Sequence, residues 1–145
     1  MKAVRILCCL TFTLLLSVAC SNSQTPDNKT ADTQAVQNQA PFVSLQPAAA
    51  NELIAARKDL LIVDVRTPQE LKEGKIANSI MIPFWSAMRG QHNLSKNQPI
   101  LLVCAVGGRS FAVGQALTRQ QGFTEVYNLS GGISSWKGAG LPVVY

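Results

Sequence analysis

The stretch from Ile100 to Ser110 constrains the fold of this chain more than any other segment. Its first four residues are apolar and partly β-branched, which predicts a short strand buried on both faces. Cys104 follows at once, then a loop with two glycines, and then an amphipathic run over 111–121 that predicts a helix. A strand, a tight loop and a helix N-terminus in this order aim backbone N–H groups at one point, which favours an anion.

Cys104 is therefore the candidate nucleophile, because a sulfur at such a point is held as the reactive thiolate. The alternative is a cysteine that only packs as a small hydrophobic side chain. Packing does not require the pattern Cys-x-x-Gly-x-Arg-Ser, and its glycines cost chain entropy. We interpret Cys104 as catalytic and the residues after it as a loop that binds an anionic group: Ala105, Val106, Gly107, Gly108, Arg109 and Ser110.

Residues 1–20 predict an export signal, with Lys2 and Arg5 before an apolar run that is too short for an ordinary membrane-spanning helix. The ending Leu-Ser-Val-Ala-Cys resembles a bacterial lipoprotein signal. We therefore expect Cys20 to be acylated and the protein to be anchored by its lipid on the periplasmic side of the cell envelope. Cleavage nearby without a lipid, which gives a soluble periplasmic or secreted protein, is the alternative.

The composition after the signal indicates a tether and one globular domain. Residues 21–40 are polar and lack aromatic side chains, which is typical of a flexible linker. A folded domain is predicted over 41–145. The net charge of the whole chain is +5, but two of its cations lie in the predicted signal and no basic run occurs, which argues against nucleic-acid binding.

Strands and helices alternate along the domain, which predicts an α/β fold with a parallel five-stranded sheet and helices on both faces. A Thr-Pro-Gln-Glu capping box at 67–70 marks the start of one short helix. Ligands of such sheets bind beyond the carboxyl ends of the strands, where Cys104 falls. The predicted strands are 42–45, 60–65, 76–82, 100–103 and 126–129, and the predicted helices are 47–58, 68–74, 86–91, 111–121 and a short one after 132.

Three motifs in order resemble the signatures of rhodanese domains. They are D-V-R-T-P-x-E-x-x-x-G-x-I at 64–76, C-x-x-G-x-R-S at 104–110 and G-G-I-x-x-W at 131–136. The resemblance runs over about residues 41–145 and implies the three-layer rhodanese fold in a single domain. It also implies a sulfurtransferase of the thiosulfate:cyanide type, which moves sulfane sulfur from a donor such as thiosulfate to cyanide or a thiol.

The resemblance further implies the course of the reaction. The Cys104 thiolate takes the outer sulfur of the donor and carries it as a persulfide, which the amides of the loop from Ala105 to Ser110 stabilise. The partners are then a small sulfur donor and a thiophilic acceptor, and the membrane is met only through the N-terminal lipid. No cofactor is implied, and one His and one Cys in the domain offer no metal site.

Residues around the loop allow two interpretations each. Asp64 and Arg66 lie at a strand end beneath the site, and we interpret Arg66 with Glu70 as a structural ion pair, with a catalytic pair as the alternative. Arg109 is predicted to contact an anionic donor, with bracing of the loop as the alternative.

Aromatic and imidazole side chains complete the set of candidates. Phe84 and Trp85 are predicted either to wall the pocket or to pack half-buried. Trp136 is predicted to lie in the core, and His92 in a solvated loop.

Two other functions share parts of the pattern. Cysteine phosphatases also combine Cys, Gly and Arg-Ser, but their loops hold five residues between Cys and Arg, whereas four separate Cys104 from Arg109. A non-catalytic binding module on the same fold has no need of the cysteine.

Overall fold

Strands and helices alternate over residues 42–145, which are the residues that the computed structural model describes. The predicted signal, Cys20 and the predicted linker over 21–40 lie outside this range. The elements are β1 Phe42–Leu45, α1 Pro47–Ala56, β2 Leu61–Asp64, α2 Pro68–Leu71, β3 Ile80–Met81, α3 Phe84–Met88, β4 Ile100–Val103, α4 Gly108–Arg119, β5 Val126–Leu129 and α5 Gly132–Gly138.

The five strands form one parallel sheet in the order β1-β5-β4-β2-β3. This confirms the predicted α/β fold with a parallel five-stranded sheet. β4 lies in the centre, where Leu102 pairs with Val63 of β2 and with Asn128 of β5. Cys104 therefore emerges at the middle of the carboxyl edge of the sheet, the place where ligands of such sheets bind.

The sheet is covered on both faces, and the alternation of side chains along β4 shows how. Ile100, Leu102 and Cys104 belong to one buried cluster, which includes residues of α3 and α4. Leu101 and Val103 belong to the other, which includes residues of α1 and α5. Both strand faces are thus buried, which explains why β4 is a continuous apolar run, and the predicted three-layer arrangement is confirmed.

The predicted boundaries of α1, β2 and α2 differ from the structure by one to three residues at an end, and three other elements differ in a way that has a local cause. The strand predicted over 76–82 is reduced to Ile80–Met81, because a turn precedes it in which Asn78 has a φ of 61°. The helix predicted over 86–91 begins at Phe84 directly after Pro83, and α4 begins at Gly108 rather than at residue 111. In the first and last cases the loop geometry, rather than the apolar pattern, sets where the element begins.

Two local predictions are confirmed. In the capping box of α2, the Glu70 N–H donates to Thr67 Oγ1 at 3.3 Å and the Thr67 N–H donates to Glu70 Oε2 at 3.0 Å. Trp136 is a core residue, and its indole N–H donates to the carbonyl of Pro142 at 2.9 Å. Among residues 42–145, no helix has both the length and the apolar character needed to cross a membrane.

Candidate active site

The sulfur of Cys104 lies at the bottom of the loop between β4 and α4, and the residue is only 1% exposed. Two donors point at it: the N–H of Gly107 at 3.1 Å and the hydroxyl of Ser110 at 3.3 Å. The same hydroxyl lies 3.1 Å from the carbonyl oxygen of Gly107, so two acceptors compete for one proton. An anionic sulfur is the stronger acceptor, which means that this hydroxyl favours the thiolate.

The balance of these contacts sets the protonation of the cysteine. Burial raises the pKa of the Cys104 thiol, because it removes the thiolate from water. Hydrogen bonds from the Ser110 hydroxyl and from the amides of Ser110, Val106 and Gly107 act in the opposite direction. The second effect prevails and the pKa lies below its ordinary value, so a buried sulfur becomes a reactive thiolate at a lower pH than a free cysteine does.

The loop owes its shape to a close approach between the segments that follow β4 and β5. Gly107 has a φ of +89°, and a Cβ there would lie 2.9 Å from the backbone nitrogen of Gly131. Only glycine fits this position, which is the N-cap of α4. The glycine thus turns the chain so that its own N–H meets the sulfur of Cys104.

Helix α5 braces the loop from the other side. The N–H groups at a helix N-terminus have no partner within the helix, and two of them bind the loop here. Ile133 donates to the carbonyl of Cys104 at 2.8 Å, and Ser134 donates to the carbonyl of Ala105 at 3.1 Å. These bonds hold two loop carbonyls against α5, which leaves the following amides free to face the sulfur.

This brace by α5 was not among the contacts predicted from the sequence. The signal that could have predicted it is the Gly131-Gly132 pair, one residue beyond the end of β5, since β5 is the neighbour of the cysteine strand. A Cβ on Gly132 would lie 2.3 Å from the carbonyl oxygen of Cys104, so the close approach requires glycine.

Arg109 forms a two-point ion pair with Glu70, which joins the loop to α2. Arg109 Nη1 donates to Glu70 Oε2 at 3.1 Å, and Nη2 donates to Oε1. The hydrogen bonds from Arg109 hold the pKa of Glu70 at about 2, below its ordinary 4.5. The guanidinium thus braces the loop in this structure, and its contact with a donor stays a prediction.

The predicted ion pair between Arg66 and Glu70 is wrong. Arg66 instead binds Asp64, with Nε 2.9 Å from Oδ1 and Nη2 2.7 Å from Oδ2, and both side chains are buried. Arg66 reaches only the backbone carbonyls of Glu70 and Gly74. The guanidinium folds back to the carboxylate two residues earlier, and the carboxylate of Glu70 is left to face the loop.

The remaining candidates lie outside the loop. His92 was expected to be solvated, but its Nε2 lies 2.9 Å from Gln121 Oε1 and its ring meets that of Phe123 edge-on, so that prediction is wrong. Phe84 is half-buried in the core beside α4, while Trp85 is 65% exposed. Within residues 42–145, no group of three or more His, Cys, Asp or Glu side chains is placed to hold a metal ion.

The described residues thus form a parallel α/β sheet whose central strand ends at a loop that stabilises a cysteine thiolate. The model of the rhodanese-like domain matches residues 46–139, and this chain belongs to that family. The resemblance read from the three motifs is thereby confirmed.

Individual relatives agree with the family match. A sulfurtransferase from Allochromatium vinosum is 34% identical over 94 residues, which cover 65% of this chain and 87% of the relative. The crystal structure of a rhodanese-related protein from Thermoplasma volcanium has a TM-score of 0.60 and 38% identity, and the match covers 70% of this chain and 96% of the other. The solution structure of a polysulfide-sulfur transferase homodimer from Wolinella succinogenes has a TM-score of 0.60 and 30% identity over 74% of this chain and 81% of that one.

Proposed function

We propose that this protein is a sulfurtransferase in which Cys104 carries sulfane sulfur, as a persulfide, from a small donor to a thiophilic acceptor. The observation that carries the proposal is the buried sulfur of Cys104 with an N–H at 3.1 Å and a hydroxyl at 3.3 Å. Membership in the rhodanese-like family and the sulfurtransferase names of relatives support it.

In the first half-reaction, the Cys104 thiolate attacks the outer sulfur of the donor. With thiosulfate, the bond between the two donor sulfurs breaks and its electron pair leaves with sulfite, while a new bond joins the outer sulfur to the cysteine. The product is a persulfide whose terminal sulfur carries the negative charge. Preorganised N–H groups of the loop stabilise such a charge without reorganisation, as an oxyanion hole does.

In the second half-reaction, cyanide or a thiolate attacks the terminal sulfur, and the Cys104 thiolate leaves. The lowered pKa of Cys104 makes its thiolate a good leaving group, because hydrogen bonds from Gly107 and Ser110 stabilise the negative charge that returns to the sulfur. The donor product departs before the acceptor reacts, so the kinetics are ping-pong.

Mass spectrometry of the chain after incubation with thiosulfate tests this proposal. We expect a gain of one sulfur on Cys104, which cyanide then removes as thiocyanate. Cys104→Ser should abolish the turnover, because a serine hydroxyl stays protonated near neutral pH. A variant that keeps a tenth of the wild-type activity, a barrier change of only about 1.4 kcal/mol, would contradict the assignment.

An aryl phosphate assayed beside thiosulfate separates the reaction classes. Four residues between Cys104 and Arg109 form a small ring of amides, which suits a single sulfur better than a phosphoryl group with its oxygens. We expect no useful phosphatase turnover. Aryl-phosphate hydrolysis that Cys104→Ser removes would identify a phosphatase, and a folded protein inactive in both assays would identify a binding module.

A further inference from the structure

The ionised side chains at the site cancel one another. Asp64 pairs with Arg66 at 2.7 Å, and the carboxylate of Glu70 accepts hydrogen bonds from both terminal nitrogens of Arg109. Arg109 is the only cationic residue in the loop 104–110, so its engagement leaves that segment without an unpaired positive charge. Once the thiolate forms, these five groups together carry one negative charge.

The groups that touch the sulfur are dipoles rather than ions. They are the N–H of Gly107 and the hydroxyl of Ser110, which stabilise charge on the sulfur atom itself. Such contacts act over a short range, whereas the charge of an incoming donor is felt over several ångströms. Among these groups, therefore, no cationic side chain is left unpaired to offset a negative charge on the part of the donor that leaves.

The outermost side chain of the loop is apolar. Val106 is 70% exposed, and its neighbour Ala105 is half-buried. Both follow Cys104 directly, so a donor group that projects from the site meets a hydrocarbon surface rather than a charged one. Burial of an apolar donor group against that surface is favourable.

We propose that the donor this site takes best is an organic sulfane-sulfur compound with an apolar group and a single negative charge, rather than the thiosulfate dianion. This inference rests on the proposed sulfur transfer. With thiosulfate, a thiolate and a dianion meet and three negative charges share the transition state. An organic thiosulfonate brings one charge fewer to the same place.

The step balances for such a donor. The Cys104 thiolate attacks the terminal sulfur of R–SO₂–S⁻, the bond between the two donor sulfurs breaks, and its electron pair leaves with the sulfinate R–SO₂⁻. The terminal sulfur becomes the persulfide sulfur, which carries one negative charge. Two negative charges enter and two leave, and no external oxidant, reductant or proton is needed.

Three donors separate charge from apolar contact: thiosulfate, methanethiosulfonate and benzenethiosulfonate. The first half-reaction is followed by mass spectrometry as one sulfur is added to Cys104, and each rate is divided by the rate of the same donor with free glutathione. We expect normalised rates about tenfold higher for methanethiosulfonate than for thiosulfate, since the two differ by one charge near the thiolate. Benzenethiosulfonate should be faster again by roughly threefold, because its ring covers the hydrocarbon of Val106.

Substitution at the exposed position 106 tests the electrostatic argument. Val106→Lys should raise the rate with thiosulfate about fivefold or more, because it supplies the missing cation, and should thereby reduce the preference for organic thiosulfonates over thiosulfate. The uncharged Val106→Gln should not raise the rate with thiosulfate. Added salt should speed the wild-type reaction with thiosulfate, since like charges are screened.

The outcomes distinguish the two proposals. If no donor adds sulfur to Cys104, the proposed function fails. If all three add sulfur but thiosulfate is fastest after normalisation, or if Val106→Lys leaves its rate unchanged, sulfur transfer stands and the organic-donor inference is overturned.

Discussion

Replacement of Gly132 by alanine should disable the active site from the far side of the loop. A Cβ at this position would lie 2.3 Å from the carbonyl oxygen of Cys104 and 2.6 Å from the carbonyl carbon of Ala105. Real Cβ atoms essentially never come within 3.0 Å of such atoms. The loop backbone must therefore retreat from α5 by roughly 0.7 Å or more, because no side-chain rotation can relieve a clash with backbone atoms in a close-packed interior.

This displacement acts on the chemistry through the sulfur contacts. The N–H of Gly107 and the hydroxyl of Ser110 reach the sulfur at 3.1 and 3.3 Å, so a shift of nearly 1 Å breaks or misaligns them. Misplacement on this scale costs on the order of a hundredfold in rate. The variant also holds a non-glycine residue at a φ of 59°, which costs about 1–2 kcal/mol of stability.

The assay measures the rate of persulfide formation and the pH dependence of Cys104 alkylation by iodoacetamide. We expect a slower rate and a raised pKa of the thiol, because stabilising donors are lost. Gly140→Ala is the matched control: Gly140 has a φ of +70° and no atom within 4 Å of an added Cβ, so it carries the backbone cost alone. A Gly132→Ala protein that is folded and within threefold of the control would refute the brace by α5.

Three further substitutions test the hydrogen bond to the sulfur, the ion pair of the loop and the predicted lipid anchor. Ser110→Ala should raise the pKa of the Cys104 thiol and slow persulfide formation by roughly tenfold, because a hydrogen bond to a charged sulfur is lost. The pH profile of iodoacetamide alkylation measures the pKa, and the rate of persulfide formation measures the loss of reactivity. Glu70→Gln should lower the free energy of unfolding by about 1 kcal/mol at neutral pH, a modest value because the pair with Arg109 is partly exposed. The pKa of Glu70 is lowered to about 2 in the folded protein, so its contribution to stability is complete above its ordinary pKa of 4.5 and is lost as the pH falls through 2. The free energies of unfolding of wild type and variant, measured by urea titration, should therefore converge at acid pH. A difference between them that stays constant with pH would contradict the ion pair. Cys20→Ala should release the protein from the cell envelope or alter its processing, and unchanged fractionation and processing would leave simple secretion as the explanation.

The sequence by itself determined the local structure around the nucleophile. The apolar run 100–103, the cysteine, the two glycines and the amphipathic helix are neighbours along the chain, and so their order alone predicts a strand, an anion-binding loop and a helix. The capping box at 67–70 is equally local, because both of its hydrogen bonds join residues three positions apart. Alternation of strands and helices was sufficient for the parallel sheet, since parallel neighbours require crossovers.

Only the tertiary structure decided which groups meet across the chain. Arg66 had two carboxylates within reach in sequence, and the buried end of β2 selects Asp64, which leaves Glu70 for Arg109, a residue 39 positions away. The brace from α5 depends on β5 lying beside β4, a neighbour relation that no local pattern contains. Hydrogen bonds over short separations follow from local backbone geometry, whereas ion pairs and braces between distant segments follow from the packing of the whole sheet.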